Sequence, residues 1–350
     1  MKKIAVALSG GVDSAAAALL LKKEGYEVLG TTYRLQQDQE KDIADAANVC
    51  KALNTEHIVL DYRELFKNFV MNPFVDSYLK AETPNPCIFC NKTIKFGKFI
   101  EDTKNLGCDF ISTGHYAKIT KDDDGIYHLF KGDNEKKDQS YVLYNLNQDT
   151  MARMVLPLGF WNYSKDELRE MLREANIPIA DPPESQDICF IKEGTYCDFI
   201  EENRPDAPKK GSFVDESGNI LGQHKGFYHY TIGQRKGLGI ALGAPAFVTD
   251  IDFSTGNVTL SLDEKKLLAD TIYIRDFNFL GREKPEFPYV CLVKTRYKSH
   301  MQQALITEEG SLLKVKLENA GRAPTKGQSA VFYKDNEVIG GGIIDSVEKL

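Results

Sequence analysis

Residues 9–14 have the composition of a loop that binds phosphate groups. The segment is Ser-Gly-Gly-Val-Asp-Ser, and it lies between a short apolar run, residues 4–8, and a helical pattern that Gly25 ends. Two glycines allow a tight turn that exposes backbone N–H groups, and the start of the helix adds unpaired donors and the positive end of its dipole. The hydroxyls of Ser9 and Ser14 add further donors. The pattern predicts an anion site.

This loop differs from the two commonest nucleotide-binding loops. It has neither the Gly-Lys-Ser/Thr of a Walker loop nor the Gly-x-Gly-x-x-Gly of a dinucleotide site. Without a lysine to reach a γ-phosphate, it is better suited to holding pyrophosphate as a leaving group. The structural alternative is a glycine-rich turn that binds nothing.

A second group of candidate residues consists of cysteines. Cys87 and Cys90 form a C-x-x-C pair after the rigid segment 83–86, and Cys189 follows a proline-bearing turn at 181–183. Cys90 lies close to a helix predicted over 93–106, and this placement predicts a lowered pKa and a larger thiolate fraction. Cys50, Cys108 and Cys291 lie in helix or strand patterns and are interpreted mainly as buried small side chains.

The C-x-x-C pair has four possible interpretations. A zinc knuckle requires a second close pair, which this chain lacks, and a thioredoxin-type pair begins a helix directly and needs no phosphate loop. An iron–sulfur site would use Cys87, Cys90 and one distant cysteine. Alternatively, one cysteine of the pair acts with a distant one in sulfur transfer. Spacing alone does not choose between the last two interpretations.

The composition indicates a globular protein of two or three domains. The chain has 350 residues, of which 42% are hydrophobic and 27% charged, with seven cysteines. These values exclude global disorder and a disulfide scaffold. We find no membrane segment and no secretory signal, so we expect a cytoplasmic, reducing location. Because the formal charge is −7, any nucleic acid must be bound by local basic patches.

The elements that position these residues predict an α/β fold with a doubly wound parallel sheet. Strands and helices alternate through the first third, with strands at 4–8, 27–35, 56–60 and 109–113 and a hairpin at 116–130. A capping box at Ser164 opens a further helix. After a polar segment at 203–211 the patterns become short and alternating, typical of β domains. We predict a catalytic domain at 1–202, a small β-rich middle domain at 203–268 and a C-terminal β-barrel at 269–350.

Residues 9–14 resemble the loop of the N-type ATP pyrophosphatases, which adenylate a substrate and release pyrophosphate. Further motifs, in order from residue 7 to about 333, resemble those of the tRNA-specific 2-thiouridylases. They are Asn85-Pro86, Cys90-Asn91-Lys92-Thr93-Ile94-Lys95-Phe96, Gly114-His115-Tyr116-Ala117, Lys137-Asp138-Gln139-Ser140, 185–190, 222–226, 233–239, Lys294-Thr295-Arg296-Tyr297 and Gly327-Gln328.

The resemblance implies a role for each matching position. It makes Cys90 the nucleophile and Cys189 the cysteine that carries a persulfide. The ATP-contacting positions would be Ala7, Leu8, Ser9, Gly10, Gly11, Val12, Asp13, Ser14, Tyr33 and Gly114. Contacts to the target base fall at Asn85, Pro86 and Cys87, and contacts to tRNA fall at His115, Lys137, Asp138, Gln139, Arg296, Tyr297 and Gln328.

The implied reaction is ATP- and Mg²⁺-dependent 2-thiolation of the wobble uridine, position 34, of tRNA. Adenylation of the C2 oxygen precedes attack by sulfur, and a sulfur-donor protein of a persulfide relay would supply Cys189. Many family members carry Asp where this chain has Cys87. A third thiol favours the alternative in which Cys87, Cys90 and Cys189 ligate a [4Fe–4S] cluster.

Two rival functions would also account for the phosphate loop. An ATP pyrophosphatase that transfers nitrogen to a small molecule would need neither Cys90 nor Cys189. A redox or iron–sulfur RNA-binding module would bind phosphate without turnover and release no pyrophosphate.

Overall fold

The computed structural model describes residues 1–179 and 188–350. The predicted turn at 181–183 and the residues Ser185, Gln186 and Asp187 of the 185–190 motif lie outside the described residues. Within the described ranges, no helix is both long and apolar enough to span a membrane.

The first part of the chain forms a parallel sheet with strand order β3-β2-β1-β4-β7. Strand β1 is central because its apolar residues are covered on both faces: Ile4, Ala5 and Val6 are fully buried. Strand β1 pairs with β2 on one side and with β4 on the other, so the strand order reverses between β1 and β4. Parallel sheets bind ligands at the carboxyl ends of the strands on either side of such a switch point. This confirms the predicted fold class and adds the two-residue strand β7. The strands are β1 Lys3–Ala7, β2 Glu27–Arg34, β3 His57–Asp61, β4 Phe110–Ser112 and β7 Met154–Val155.

Helices cover both faces of this sheet. The capping box of Ser164 with Glu167 is confirmed at the start of α8. Two stretches of π-helical turns, Lys67–Met71 and Asn91–Lys98, join α3 to α4 and α5 to α6. The helices are α1 Val12–Lys23, α2 Glu40–Ala52, α3 Arg63–Phe66, α4 Asn72–Tyr78, α5 Pro86–Cys90, α6 Phe99–Asn105, α7 Gln148–Met151, α8 Lys165–Glu174 and α9 Tyr196–Asn203, with 3₁₀ turns at Ser140–Leu143 and Pro157–Phe160.

The helix predicted over 93–106 begins earlier than expected. It starts at Pro86, where the fixed φ of proline suits the first helical position, and the side chain of Asn85 accepts a hydrogen bond from the Cys87 N–H at 3.2 Å. The C-x-x-C pair therefore lies inside the helix instead of in a loop before it.

The rest of the chain is β-rich, as the short alternating patterns indicated. A four-stranded sheet with order β10-β11-β8-β9 comes first, with a 3₁₀ turn at Phe227–His229 after β9. A closed barrel with order β12-β15-β14-β13-β16-β17 follows the 3₁₀ turn Glu264–Leu267, and β17 pairs back to β12. The strands are β8 Gly211–Val214, β9 Ile220–His224, β10 Phe247–Asp252, β11 Asn257–Ser261, β12 Leu268–Phe279, β13 Tyr289–Lys294, β14 Gln302–Glu309, β15 Leu312–Arg322, β16 Ser329–Lys334 and β17 Glu337–Lys349.

The predicted hairpin belongs to two parts of the fold. Strands β5 Ala117–Lys121 and β6 Tyr127–Lys131 pair with each other, and β6 also pairs with β17 of the barrel through Leu129 and Val338. The parallel-sheet domain and the barrel are therefore joined by strand hydrogen bonds.

Candidate active site

The loop at 9–14 follows β1 and forms the first wall of the site. The Ser9 N–H donates to Ser14 Oγ at 3.2 Å, and the Ser14 hydroxyl donates to the Gly11 carbonyl at 3.1 Å. Gly10 has a φ of +76°, and a Cβ there would lie 2.9 Å from Asp45 Cβ. The glycine is therefore required by the turn, and the turn leaves the N-terminus of α1 open to an anion.

The segment that follows β4 forms the second wall. A Cβ on Gly114 would lie 3.0 Å from the Ser14 nitrogen, so the lack of a side chain at this position lets the second wall approach the first wall closely. Two residues later, the Tyr116 hydroxyl donates to Asp13 Oδ1 at 2.6 Å. The ammonium of Lys137 lies 4.0 Å from Asp13 and 4.9 Å from the centroid of the Tyr116 ring. The loop residues predicted to contact ATP therefore meet Gly114 at the switch point of the sheet.

The two thiols of the C-x-x-C pair have different environments. Cys87 is exposed in the first turn of α5, whereas Cys90 is buried. The pKa of Cys90 is raised to about 11, chiefly by burial; Lys95 opposes the shift, and Cys189 and Cys87 add to it. The predicted lowering of the Cys90 pKa is wrong, because the helix starts at Pro86 and the thiol therefore lies away from the helix N-terminus in an apolar environment.

Cys189 reaches the same site from a distant part of the chain. The next residue, Phe190, packs edge-on against Phe66 at 5.6 Å and Phe74 at 5.2 Å between ring centroids, and this packing anchors the segment. The Cys189 thiol is exposed on one side, yet desolvation by the protein around it raises its pKa. Lys95 lowers this pKa and Cys87 raises it. Because charges at Cys87, Cys90 and Cys189 affect one another, the three sulfurs lie within electrostatic range, and all are free thiols.

Tyr33 and His115 are two further side chains of the site, Tyr33 within electrostatic range of Cys90 and His115 within that of Lys95. The ring of Tyr33 packs edge-on against Phe99 at 4.9 Å, and burial and the nearby Tyr62 and Cys90 hold the pKa of Tyr33 well above its ordinary value. Its buried hydroxyl has no hydrogen-bond partner in the described part of the chain.

His115 is buried beside the ring of Phe96, and its Nδ1 lies 2.6 Å from the Thr113 hydroxyl. Burial and the positive charge of Lys95 hold the pKa of His115 well below its ordinary value. The imidazole is therefore neutral and lies within range of the Lys95 charge.

The segment 137–139 is held by contacts within the protein. The buried carboxylate of Asp138 accepts from the N–H groups of Gly132 and Ser140, at 3.1 Å each, and from the Ser140 hydroxyl at 3.0 Å. Gln139 Oε1 accepts from the Tyr116 N–H at 3.0 Å. This segment therefore supports the second wall directly.

The predicted tRNA-side residues of the barrel also contact the first domain or the barrel itself. The Tyr297 hydroxyl donates to the Asp138 carbonyl at 2.9 Å, and Gln328 Nε2 donates to the Thr83 carbonyl at 2.7 Å. Arg296 donates to the hydroxyl of Thr325 at 2.8 Å and to the Ala323 carbonyl. The barrel thus holds the chain just before Asn85.

A basic cavity of about 370 Å³ lies between the first domain and the barrel. Lys131 and Lys136 line one side, and Lys294 and Lys298 line the other. Lys294 lies over the Tyr297 ring at 5.6 Å, and desolvation lowers its pKa. The sequence predicts that any nucleic acid is bound by local basic patches, and this cavity is such a patch. Nothing in the sequence patterns marked Lys131, Tyr116 or Lys95 as site residues, although Tyr116 and Lys95 stand inside motifs quoted above.

The proposed cluster ligands do not form a metal site in this conformation. Within residues 1–179 and 188–350, no group of three or more His, Cys, Asp or Glu side chains has an arrangement that could hold a metal ion. The three sulfurs lie within electrostatic range of one another, but their placement does not fit a cluster.

Known proteins are similar to this chain over nearly its whole length. Three family profiles match in succession: the tRNA methyl transferase HUP domain at residues 2–193, the tRNA methyl transferase PRC-barrel domain at 197–261 and the aminomethyltransferase beta-barrel domain at 269–344. A tRNA-specific 2-thiouridylase MnmA of Clostridium perfringens is 42% identical over 99% of both chains. Proteins of the same name are 43% identical in Clostridium botulinum, over 99% of this chain and 98% of that one, and 42% identical in Clostridioides difficile, over 98% of both. The chain therefore belongs to the tRNA-specific 2-thiouridylase family.

Proposed function

We propose that this protein is an ATP-dependent tRNA-uridine 2-sulfurtransferase that converts the wobble uridine of tRNA, position 34, to 2-thiouridine. The single observation that carries the proposal is the convergence of the phosphate loop with two sulfurs remote in sequence. Asp13 in the loop accepts a hydrogen bond from the Tyr116 hydroxyl. The residue before Tyr116, His115, lies within electrostatic range of Lys95. The charge of Lys95 in turn acts on Cys90 and Cys189. Family membership and the names of the relatives support the same activity.

Adenylation is assigned to the two walls of the switch point. The C2 oxygen of uridine attacks the α-phosphate of ATP, and pyrophosphate leaves onto residues 9–14, whose open N–H groups and helix dipole favour an anion. Gly114 and Tyr33 line the nucleotide. Mg²⁺ would neutralise the phosphates, with the Asp13 carboxylate available to it in the loop. The partnerless hydroxyl of Tyr33 is consistent with a site shaped for a polar ligand.

Sulfur transfer is assigned to Cys189 and Cys90. The persulfide on Cys189 attacks C2 and expels AMP, which carries away the original oxygen. The Cys90 thiolate then attacks Cys189 Sγ, so that the transferred sulfur stays on C2 and a Cys90–Cys189 disulfide forms. The two sulfhydryl protons are released, and an external thiol reductant reopens the disulfide. The exposed side of Cys189 suits reloading by a sulfur-donor protein that carries a persulfide.

The tRNA is assigned to the face between the first domain and the barrel. The cavity lined by Lys131, Lys136, Lys294 and Lys298 provides local positive charge in a chain of net charge −7. Asn85, Pro86 and Cys87 lie beside the sulfurs at the start of α5 and would receive the extruded base. The wobble uridine lies in a single-stranded loop, so its extrusion requires little free energy.

Two single substitutions test the function. We expect Cys90→Ser and Cys189→Ser to keep part of the tRNA-dependent pyrophosphate release and to lose oxygen-to-sulfur exchange, measured by mass spectrometry of tRNA nucleosides. Cys108→Ser is the control, because Cys108 is a buried cysteine outside the group of Cys87, Cys90 and Cys189. This variant should thiolate tRNA normally if it folds. Full thiolation by either active-site variant contradicts the proposal. Iron and acid-labile sulfide analysis after anaerobic purification tests the cluster alternative separately.

A further inference from the structure

Lys95 is a half-buried lysine whose ammonium has no hydrogen bond or ion pair with any residue that the structure describes. Its neighbours in sequence, Ile94 and Phe96, are buried in the apolar core. Partial burial of a charge without a counter-ion is unfavourable, so lysines in such places normally pair with a carboxylate. The absence of a pair suggests that an anion forms beside Lys95 during the reaction.

The helix geometry places Lys95 on the same side as Cys90. In an α-helix two residues five apart point about 140° away from each other. Residues Asn91–Lys98 are instead π-helical, and Cys90 is the residue that precedes this segment. Bonding from residue i to i+5 stacks residues five apart, and such turns are frequent at functional sites. The irregular helix therefore places Lys95 closer to the side that carries Cys90 than a regular α-helix would.

The groups around Lys95 are thiols and a neutral imidazole. The lysine charge acts on Cys90, on Cys189 and on His115. Two other titratable groups interact with these thiols. Cys87 acts on both of them, and Tyr33 interacts with Cys90. Tyr297 interacts with Cys87. In the described ranges no carboxylate acts on either thiol, so the sulfur anions have no competitor for this cation.

We propose that Lys95 stabilises the Cys90 thiolate and the anion of the persulfide carried by Cys189 during sulfur transfer. The inference rests on the proposed function and adds a charge-stabilising residue to it. In that reaction the Cys90 thiolate attacks Cys189 Sγ, and the sulfur leaving Cys189 becomes the thiocarbonyl of the base. The negative charge of the Cys90 thiolate therefore passes to the transferred sulfur as the disulfide forms, and both cysteines of that disulfide lie within electrostatic range of Lys95. No other oxidant or reductant enters this step.

The test measures thiol reactivity without tRNA or ATP. The reduced full-length protein is treated with iodoacetamide from pH 6.5 to 10, and the alkylation rate at Cys189 is followed by peptide mass spectrometry. We expect Lys95→Gln to slow alkylation at pH 8 by about threefold to tenfold, equivalent to a rise of half to one pKa unit. Lys95→Arg should keep most of the wild-type rate. Lys92→Gln, which removes the same charge from an exposed position of the same helix, should match wild type.

The outcomes separate the role of Lys95 from the function as a whole. Equal pH profiles for Lys95→Gln and Lys92→Gln would overturn the inference, as would a Lys95→Arg variant as slow as Lys95→Gln. If Lys95→Gln fails to fold, judged by its thermal melting, Lys95→Met keeps the aliphatic stem and replaces it in the comparison. A wild-type protein that releases pyrophosphate but never thiolates tRNA would contradict the proposed function and leave the alkylation result readable.

Discussion

The Tyr116 hydroxyl donates a 2.6 Å hydrogen bond to Asp13 Oδ1, although the two residues are 103 positions apart in the chain. The bond joins the segments that follow β1 and β4, the two strands that flank the switch point of the sheet. It orients the carboxylate of the phosphate loop and connects that loop with the segment 137–139 through Lys137, which donates to the Tyr116 hydroxyl at 3.2 Å.

Tyr116→Phe should raise the KM for ATP and have only a small effect on the stability of the fold. Hydrogen bonds to charged groups contribute about 1.5–3 kcal/mol, but Asp13 is partly exposed and water replaces part of the loss. We expect the KM for ATP in pyrophosphate release to rise about threefold to tenfold. Tyr228→Phe removes a comparable bond to Glu201, at 3.1 Å in the middle domain, and should leave this KM unchanged. Equal effects of the two substitutions would contradict the role of Tyr116.

Gly114→Ala should separate the two walls of the site. The added Cβ would lie 3.0 Å from the Ser14 nitrogen and 3.1 Å from the Asp13 carbonyl carbon, which is tighter than most Cβ contacts and pushes the two walls apart by a few tenths of an ångström. We expect pyrophosphate release to fall by at least about tenfold, because preorganised N–H donors lose their alignment, and stability to fall by about 1–2 kcal/mol. Urea unfolding and pyrophosphate assays measure the two effects. A variant with wild-type turnover would show that the close approach is unnecessary.

His115 should make the protein less stable at acidic pH. Its pKa is depressed by burial, so below pH 6.5 the unfolded chain binds a proton that the folded protein does not. The contribution to the free energy of unfolding therefore falls as pH falls below the unfolded pKa, by up to about 1.4 kcal/mol per pH unit. Urea unfolding between pH 7.5 and 5.5 should show a shallower pH dependence in His115→Asn. An unchanged slope would contradict the assignment.

The contribution of His128 to the free energy of unfolding should depend on pH in the opposite direction to that of His115. His128 lies 2.6 Å from Glu337 and 3.0 Å from Asp122, and these carboxylates raise its pKa. Its contribution is fully present below the unfolded pKa of about 6.5 and is lost as pH rises through the folded pKa. His128→Asn should therefore lower the free energy of unfolding at pH 5.5 by about 1 kcal/mol or less, since the group is partly exposed, with a smaller loss at pH 8. Equal losses at the two pH values would contradict the charge-based explanation.

Gln328→Ala should affect sulfur transfer more than adenylation by loosening the chain before Asn85. Gln328 Nε2 donates to the Thr83 carbonyl, and the Thr83 N–H donates to the Lys326 carbonyl at 2.8 Å. Loss of the side-chain bond removes about 1 kcal/mol of positioning. We expect thiolation to fall about fivefold, with thermal melting almost unchanged. Gln303→Ala, at an exposed position of β14, is the matched control and should thiolate normally.

Local patterns in the sequence determined the parallel sheet, the phosphate loop and the β-rich second half. A buried strand followed by Gly10 and Gly11 and then a helix encodes its own structure within about fifteen residues, because turn geometry and helix starts depend on near neighbours. The quoted motifs also identified Cys90 and Cys189 as a pair. Domain limits at 202/203 and 268/269, and the roles of individual site residues, stay predictions.

Tertiary structure decided the environment of each reactive group. Burial of Cys90 reversed the predicted direction of its pKa shift, and desolvation depends on residues that the local sequence does not specify. The pairing of β6 with β17 and the contact of Gln328 with Thr83 likewise join segments far apart in the chain. Such contacts follow from how the domains pack, and no periodicity in a single sequence encodes them.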